Sequence, residues 1–204
     1  MSKKTIGFIG AGRIGRALAE KFVKAGYRII LSNRQGPGSL TNYVHRLGPL
    51  ATEGAPLEAA KADVVFLAVR WADVTDALRG LPDLAGRIVV DTTNPILADG
   101  TYQDLGERTS SAIVAAQLPG ARVVKAFNSL FGEWIEADPV QPAGKRVVFV
   151  SSDDIEAKST VQSLISSIGF ATVDLGGLIE GGKMQQAGKP LAGLNLLLIN
   201  EISR

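Results

Sequence analysis

The stretch Thr5-Ile6-Gly7-Phe8-Ile9-Gly10-Ala11-Gly12-Arg13-Ile14-Gly15 decides how this chain is read. Thr5 to Gly10 is an apolar run of strand length. Arg13 to Ala25 then places apolar side chains at 14, 17, 18, 22 and 25, the recurrence of one helix face. Gly26 stands where a helix closes on a left-handed residue. A strand that turns through GxGxxG directly into an amphipathic helix is the setting in which that spacing has physical meaning. Gly10 permits the tight turn, Gly12 lets the backbone approach a diphosphate, and Gly15 lets the helix lie close to the strand. The helix start, including Arg13 and Ile14, offers N–H groups and the positive dipole end to phosphate oxygens.

Outward from the turn, strand-like runs recur at Arg28 to Ser32, Asp63 to Val69, Arg87 to Asp91, Arg122 to Ala126, Arg146 to Ser151 and Ala171 to Asp174. Those beginning at Asp63 and Arg87 are almost wholly apolar, as strands covered on both faces are. Helical segments lie between. Ser39 caps one that runs to Leu47; Val74, Ala77 and Leu78 mark another, stopped before Pro82; one ends near Leu118; and Asp153 caps one with apolar positions 155, 161, 164, 165 and 168. This alternation predicts an α/β chain: a Rossmann-type, doubly wound, mainly parallel sheet in a three-layer arrangement. The 204 residues suit one dinucleotide-binding domain spanning 1–204, with no linker or repeat. A glycine-rich segment, 175–188, interrupts the alternation, and residues 190–203 resume as an apolar helix that packs on its own sheet or on a second copy of the chain.

The hydrophobic fraction of 46% and charged fraction of 21% are those of a soluble globule. With 22 basic against 20 acidic residues and no basic run of five, no nucleic-acid partner is expected. Cysteine is absent, which removes disulfides and thiolate chemistry and agrees with a reducing cytoplasm. Lys3 and Lys4 lead into a short strand instead of a signal-peptide apolar core, and Leu194 to Ile199, broken by Asn195, is far too short to span a bilayer. No membrane partner is expected. His45 is the single histidine, so neither a Ser-His-Asp triad nor a histidine-rich metal site can be assembled, and no metal is assigned.

The second strand ends in Ser32-Asn33-Arg34, where an NAD site usually carries an acid for the ribose 2′-OH. A guanidinium with hydroxyl and amide donors beside it suits a 2′-phosphate, so the cofactor expected is NADP; an arginine stacking on adenine is the other reading of Arg34. Ala68, Val69, Arg70, Asn94 and Pro95 end further strands and join the cofactor site, while Trp71, Asn128 and Ser129 face the hydride acceptor. Asn128 alternatively caps the turn that follows it. No Tyr-Lys, histidine or buried carboxylate pair stands ready to protonate a carbonyl product. A flavin-like ring, which takes hydride on its own atoms, therefore fits better than an imine or carbonyl. A non-catalytic NADPH-binding regulator is the reading from another class.

At these residues the chain resembles the coenzyme F420-dependent NADP oxidoreductase family. It shares GFIGAGRIG at 7–15, SNR at 32–34, FLAV at 66–69, VVDTTNP at 89–95, VVKAFN at 123–128, VFVSSDD at 148–154 and KPLAGLN at 189–195. The resemblance implies hydride exchange between NADP(H) and a deazaflavin, with Ser32 and Arg34 holding the 2′-phosphate. Archaeal members place a histidine where Asn128 stands here; the KAFN form looks more like bacterial members and the reductase domains of membrane ferric reductases, with a flavin or deazaflavin as acceptor. The glycine-rich stretch lies where the family closes over that acceptor, so Gly181 and Gly182 are expected to let a planar ring approach.

Overall fold

The computed structural model describes residues 3–199. Six strands lie parallel: β1 (Thr5–Ile9), β2 (Arg28–Ser32), β3 (Ala51–Glu53), β4 (Val64–Leu67), β5 (Ile88–Asp91) and β6 (Arg122–Ala126), in the spatial order β3-β2-β1-β4-β5-β6. The order reverses beside β1, and ligands of such sheets bind at that switch, beyond the carboxyl ends of the strands. Five helices connect these strands: α1 (Arg13–Lys24), α2 (Thr41–Leu47), α3 (Pro56–Ala59), α4 (Val74–Leu78) and α5 (Ser110–Ala116). The remainder is α6 (Gly132–Glu136), β7 (Val140–Gln141), β8 (Gly144–Ser151), α7 (Ile155–Ser167), β9 (Ala171–Asp174), α8 (Leu178–Gln185) and β10 (Leu197–Ile199).

Two apolar layers sandwich the sheet, as expected. On one face Leu18 and Phe22 of α1, Ile135 of α6 and Val161 and Ile165 of α7 pack on Ile6, Phe8, Val64, Phe66 and Val124. On the other, Ala59, Val74, Val114 and Leu178 pack on Ile9, Val65, Leu67, Val89 and Val123. Alternate residues of each strand therefore serve opposite layers, which is why the sequence runs read as unbroken apolar stretches. Phe8 stacks on Phe66 with ring centroids 5.1 Å apart, and Phe66 meets Phe127 at 6.3 Å, carrying the core from β1 to the end of β6.

The sheet is mainly parallel, as expected, with β9 parallel to β8. β8 itself runs antiparallel to β6, because after β6 the chain forms only the short α6 and the β7–β8 hairpin and re-enters the sheet from the other end. Three expectations need correction. The segment 175–188 is largely helical, since α8 lies inside it. The apolar run after residue 190 is not a helix. Gly193 takes φ +73 and donates its N–H to Ser129, after which β10 pairs antiparallel with β8; positions 200–203 of that expectation lie outside the described residues. Short apolar runs do not by themselves distinguish strand from helix. The caps also differ by one residue. Leu40, not Ser39, precedes α2, and the Ser39 hydroxyl donates to Gly36 and Asn33 instead. Asp154, not Asp153, caps α7 by accepting from the Ala157 N–H at 2.8 Å, while Asp153 accepts from the Leu178 N–H at the start of α8.

Asp154 also receives two hydrogen bonds from Arg122, at 2.6 and 2.8 Å. That guanidinium, with the Ala157 N–H, holds its carboxyl down from 3.8 to about 2. A depressed carboxylate stabilises the fold above its unfolded pKa of about 4 and ceases to do so as pH falls toward its folded value. Asp154→Ala is expected to cost about 1 kcal/mol at neutral pH. Urea midpoints of variant and parent should converge as pH falls from about 4 toward 2; a gap of constant size would contradict this.

Candidate functional site

The glycine turn is fixed by close backbone approach. Gly10 adopts φ +108, and a Cβ there would lie 2.3 Å from the Ala68 carbonyl oxygen; one on Gly15 would lie 2.3 Å from the Gly10 carbonyl oxygen. Gly12 differs: nothing lies within 4 Å of its absent Cβ, so the backbone there faces open space. Gly12 is the N-cap of α1 and no side chain caps the helix, leaving its first N–H groups for a ligand. The Arg13 side chain is drawn elsewhere, into a two-fold hydrogen-bonded pair with Glu136 of α6 at 2.7 Å, and Ile14 packs on the core. Both contribute to the turn through their backbone.

A first cleft of about 290 Å³ opens beside the turn, lined by Gly10, Asn33, Arg34, Val69, Ala77 and Arg79, among others. Arg34 is exposed and, among the described residues, joins no ion pair. The Asn33 side-chain oxygen accepts from the Gln35 N–H and the Ser39 hydroxyl, leaving its amide nitrogen to donate outward. Ser32 is fully buried and its hydroxyl donates to the Phe8 carbonyl at 2.7 Å, so it ties β2 to β1 beneath the cleft. Arg70 does not reach the cleft; it pairs with Asp73 at 2.8 Å. Sequence reasoning missed the far wall, where Asp73 and Asp76 line the cleft with Arg70 and Arg79 against them. The hydrogen bond from Arg70 holds the Asp73 carboxyl below its ordinary value, and Arg34 adds to the effect. Asp76 lies on α4, while Arg70 and Asp73 precede that helix and Arg79 follows it, away from any motif.

A second cleft of about 240 Å³ lies beyond β5 and β6, lined by Asn94, Tyr102, Asn128, Ser129, Gly188 and Lys189, among others. Phe127, 1% exposed, is held at φ +64, a costly conformation for a residue with a side chain. It sets the direction in which the chain leaves β6. Asn128 donates to the Asn94 side chain at 3.1 Å and to the Gln185 carbonyl at 2.8 Å, and Asn94 donates back to the Asn128 carbonyl at 2.6 Å. Asn128 Oδ1 and the Ser129 hydroxyl are buried with no protein partner among the described residues. Pro95 is buried behind this loop.

Three expected acceptor residues are elsewhere. Trp71 sits in a short 3-10 turn ahead of α4, its indole N–H on Gln103, and lines neither cleft. Gly181 and Gly182 lie on the buried side of α8, where added Cβ atoms would come within 1.8 Å of the Ser151 hydroxyl and 2.7 Å of Thr109. They are packing glycines. His45 is exposed in the last turn of α2, and among the described residues no cluster of three metal-ligating side chains occurs.

Beneath the second cleft, Lys125 and Asp91 are wholly buried register partners in adjacent strands, 3.0 Å apart. Lys125 also donates to the Thr93 carbonyl and the Ser110 hydroxyl, while Asp91 accepts from the Thr93 N–H and the Ser111 hydroxyl. Burial pushes the Lys125 pKa down and Asp91 pushes it back up. The signal was available in sequence, since opposite charges in two otherwise apolar strands need each other.

The fold, the uncapped turn and the cation at the end of β2 define an NADP-dependent oxidoreductase of the Rossmann type. Residues 5–95 match the family model described as NADP oxidoreductase, coenzyme F420-dependent. The chain is 44% identical to the hypothetical protein SMa0349 from Sinorhizobium meliloti, with a TM-score of 0.90 over 96% of each chain. It is 26% identical to a protein from Arthrobacter sp. FB24 assigned as an F420-dependent NADP reductase, with a TM-score of 0.74 over 87% of this chain and 86% of that one. Metalloreductase STEAP3 of Rattus norvegicus is 30% identical over 88% of this chain, which spans 35% of that relative's length. Among the described residues no helix is long and apolar enough to cross a membrane.

Two stability outcomes follow from this packing. Gly181→Val should destabilise the fold by about 1–3 kcal/mol through overpacking, seen as a lower melting temperature, instead of acting selectively on an acceptor. Lys125→Met leaves Asp91 charged and unpaired in the core and should cost about 3–5 kcal/mol in urea unfolding. A change under 1 kcal/mol would show that the pair is not buried as described.

Proposed function

We propose that this protein transfers hydride from NADPH to a flavin or deazaflavin ring bound in the second cleft. The observation that supports the reading is the placement of two clefts at the carboxyl end of one sheet, with the uncapped α1 terminus at the turn. In this reading the amides from Gly10 to Gly15 receive the diphosphate, and Arg34 with the Asn33 amide nitrogen receives the 2′-phosphate. Ser32 contributes from below by fixing the strand end, not by touching the phosphate. Val69 and Ala77 give the adenine an apolar wall.

When bound, NADPH supplies the hydride. The chain's part is positional: the Asn94–Asn128 pair holds the two strand-end loops together, and buried donors and acceptors orient what lies between them. Tyr102 and Lys189 both line the cleft, yet no hydrogen bond joins them. A flavin takes hydride at a ring nitrogen and a deazaflavin at the corresponding ring carbon, each with a single proton that water can supply, so no protein acid is needed. A cytoplasmic setting is proposed on the absence of cysteine. A homodimer is proposed on β10, whose Leu197, Leu198 and Ile199 are 36%, 53% and 69% exposed at the sheet edge.

Absorbance at 340 nm with NADPH and, in turn, flavin, deazaflavin and ferric chelates tests the reading; tight NADPH binding without turnover on any of them would replace it with a sensor. Arg34→Ala should weaken NADPH by about 1.5–3 kcal/mol and leave NADH little changed. Ser32→Ala should leave the preference between the two cofactors as it was. The reverse pattern would move the phosphate from the arginine to the serine.

A further inference from the structure

The loop after β2 turns through two left-handed glycines, Gly36 at φ +78 and Gly38 at φ +97, and nothing beyond their chain neighbours lies within 4 Å of the Cβ that either lacks. Its shape therefore rests on hydrogen bonds, and one side chain supplies three of the acceptor contacts. Glu53, the register partner of Leu31 on the neighbouring β3, accepts from the Gly38 N–H at 2.9 Å, the Leu40 N–H at 3.1 Å and the Thr41 hydroxyl at 2.5 Å. The Thr41 hydroxyl, with the two amides, holds the Glu53 carboxyl below its ordinary value. Leu40 is buried in the core and anchors the far end of the loop. Ser39 stands between these pinned residues, and its hydroxyl donates to the Gly36 carbonyl at 2.7 Å and to the Asn33 side-chain oxygen at 3.0 Å. The Gln35 N–H reaches the same Asn33 oxygen at 2.9 Å.

These contacts decide a polarity. Asn33 and Arg34 line the first cleft, whereas Ser39 and Glu53 do not. An asparagine amide has a donor on one side and an acceptor on the other, and half a turn about its last bond exchanges them. With two donors on its oxygen, Asn33 presents its nitrogen to the cleft, and among the described residues that nitrogen bonds to no protein acceptor. The nitrogen donates to a phosphate; the oxygen in its place would repel a phosphate and suit a ribose 2′-hydroxyl. Glu53 is itself an acid one strand from the end of β2, but the loop's donors take both its oxygens. We propose that Ser39 and Glu53 are positioning residues for cofactor choice: Glu53 fixes the loop, Ser39 fixes the Asn33 amide, and the outward donor favours NADPH over NADH. This rests on the placement of the 2′-phosphate at Arg34 and Asn33 given above and is independent of the acceptor.

Dissociation constants for NADPH and NADH, measured by fluorescence titration of the full chain, test this without any acceptor. Ser39→Ala should raise the NADPH Kd about three- to tenfold, up to the whole of one charge-assisted hydrogen bond, with the NADH Kd and the melting temperature unchanged. Ser39→Thr keeps the hydroxyl and should restore the parent value. Glu53→Gln should shift the ratio of the two Kd values in the same direction as Ser39→Ala. In an Asn33→Ala background neither substitution should shift that ratio further, because the amide they orient is gone. A parent-like ratio in Ser39→Ala, equal losses for both cofactors, or effects that simply add to Asn33→Ala would each overturn the inference. Arg34→Ala separates the two levels. If it alone shifts the ratio, the phosphate is placed correctly and the positioning role falls; if it too leaves the ratio as it was, the placement falls and this inference with it.

Discussion

Contact between backbones at the first turn is the constraint on which the site depends. The carboxyl end of β4 lies against Gly10, and the Gly10 carbonyl lies against Gly15. Any side chain at either position would push α1 away from the strand ends. Because the helix is held there, its uncapped N-terminus opens at the crevice beside β1, and Gly12 faces free space. An anion gains both the orphan N–H groups and the dipole, and needs no charged side chain at that point. The Arg13 guanidinium is thereby released for a different task, bracing α1 against α6 through Glu136. This exposed pair is worth little as stability; its geometry fixes how the last part of the chain sits against the nucleotide-binding half.

The second cleft depends on burial instead. Lys125 and Asp91 carry charge into two strands that are otherwise largely apolar, which is tolerable because their donors and acceptors are matched by each other and by Thr93, Ser110 and Ser111. The result is rigidity where the β5 loop leaves the sheet. Across from it, the strained Phe127 backbone is held by the ring's own burial against Phe66 and Phe170. Asn94 and Asn128 then meet with little freedom left to either, the condition for positional catalysis.

The parts of this arrangement legible in the sequence were those with a short-range signature. Strands β2, β6 and β9 are as read, and α1 begins as read, because glycine turns and apolar periodicity are local. The antiparallel entry of β8 left no local mark, since direction is decided by how the preceding connection crosses the sheet. Leu194 to Ile199 carries no periodicity that separates strand from helix, and an unpaired stretch of β8 decided it. Gly181 and Gly182 were visible as glycines, but whether a missing Cβ makes room for a ligand or for Ser151 is a tertiary fact. The same holds for Ser32: its place at the strand end was legible, whereas its hydroxyl turning inward to Phe8 was not.

The distribution of charge makes a physical distinction between the two clefts. In the first cleft the acids Asp73 and Asp76 are matched by Arg70 and Arg79, leaving Arg34 as the surplus cation beyond the end of β2. Removing that surplus would change the charge of the cleft without altering the turn, because the turn is built from backbone. In the second cleft the polar groups are the Asn94 and Asn128 amides, the Ser129 hydroxyl and Tyr102, with Lys189 beside them. The first cleft therefore carries paired acids and a surplus arginine, whereas the second offers neutral hydrogen-bonding groups beside one lysine, so the two differ in the ligands they favour.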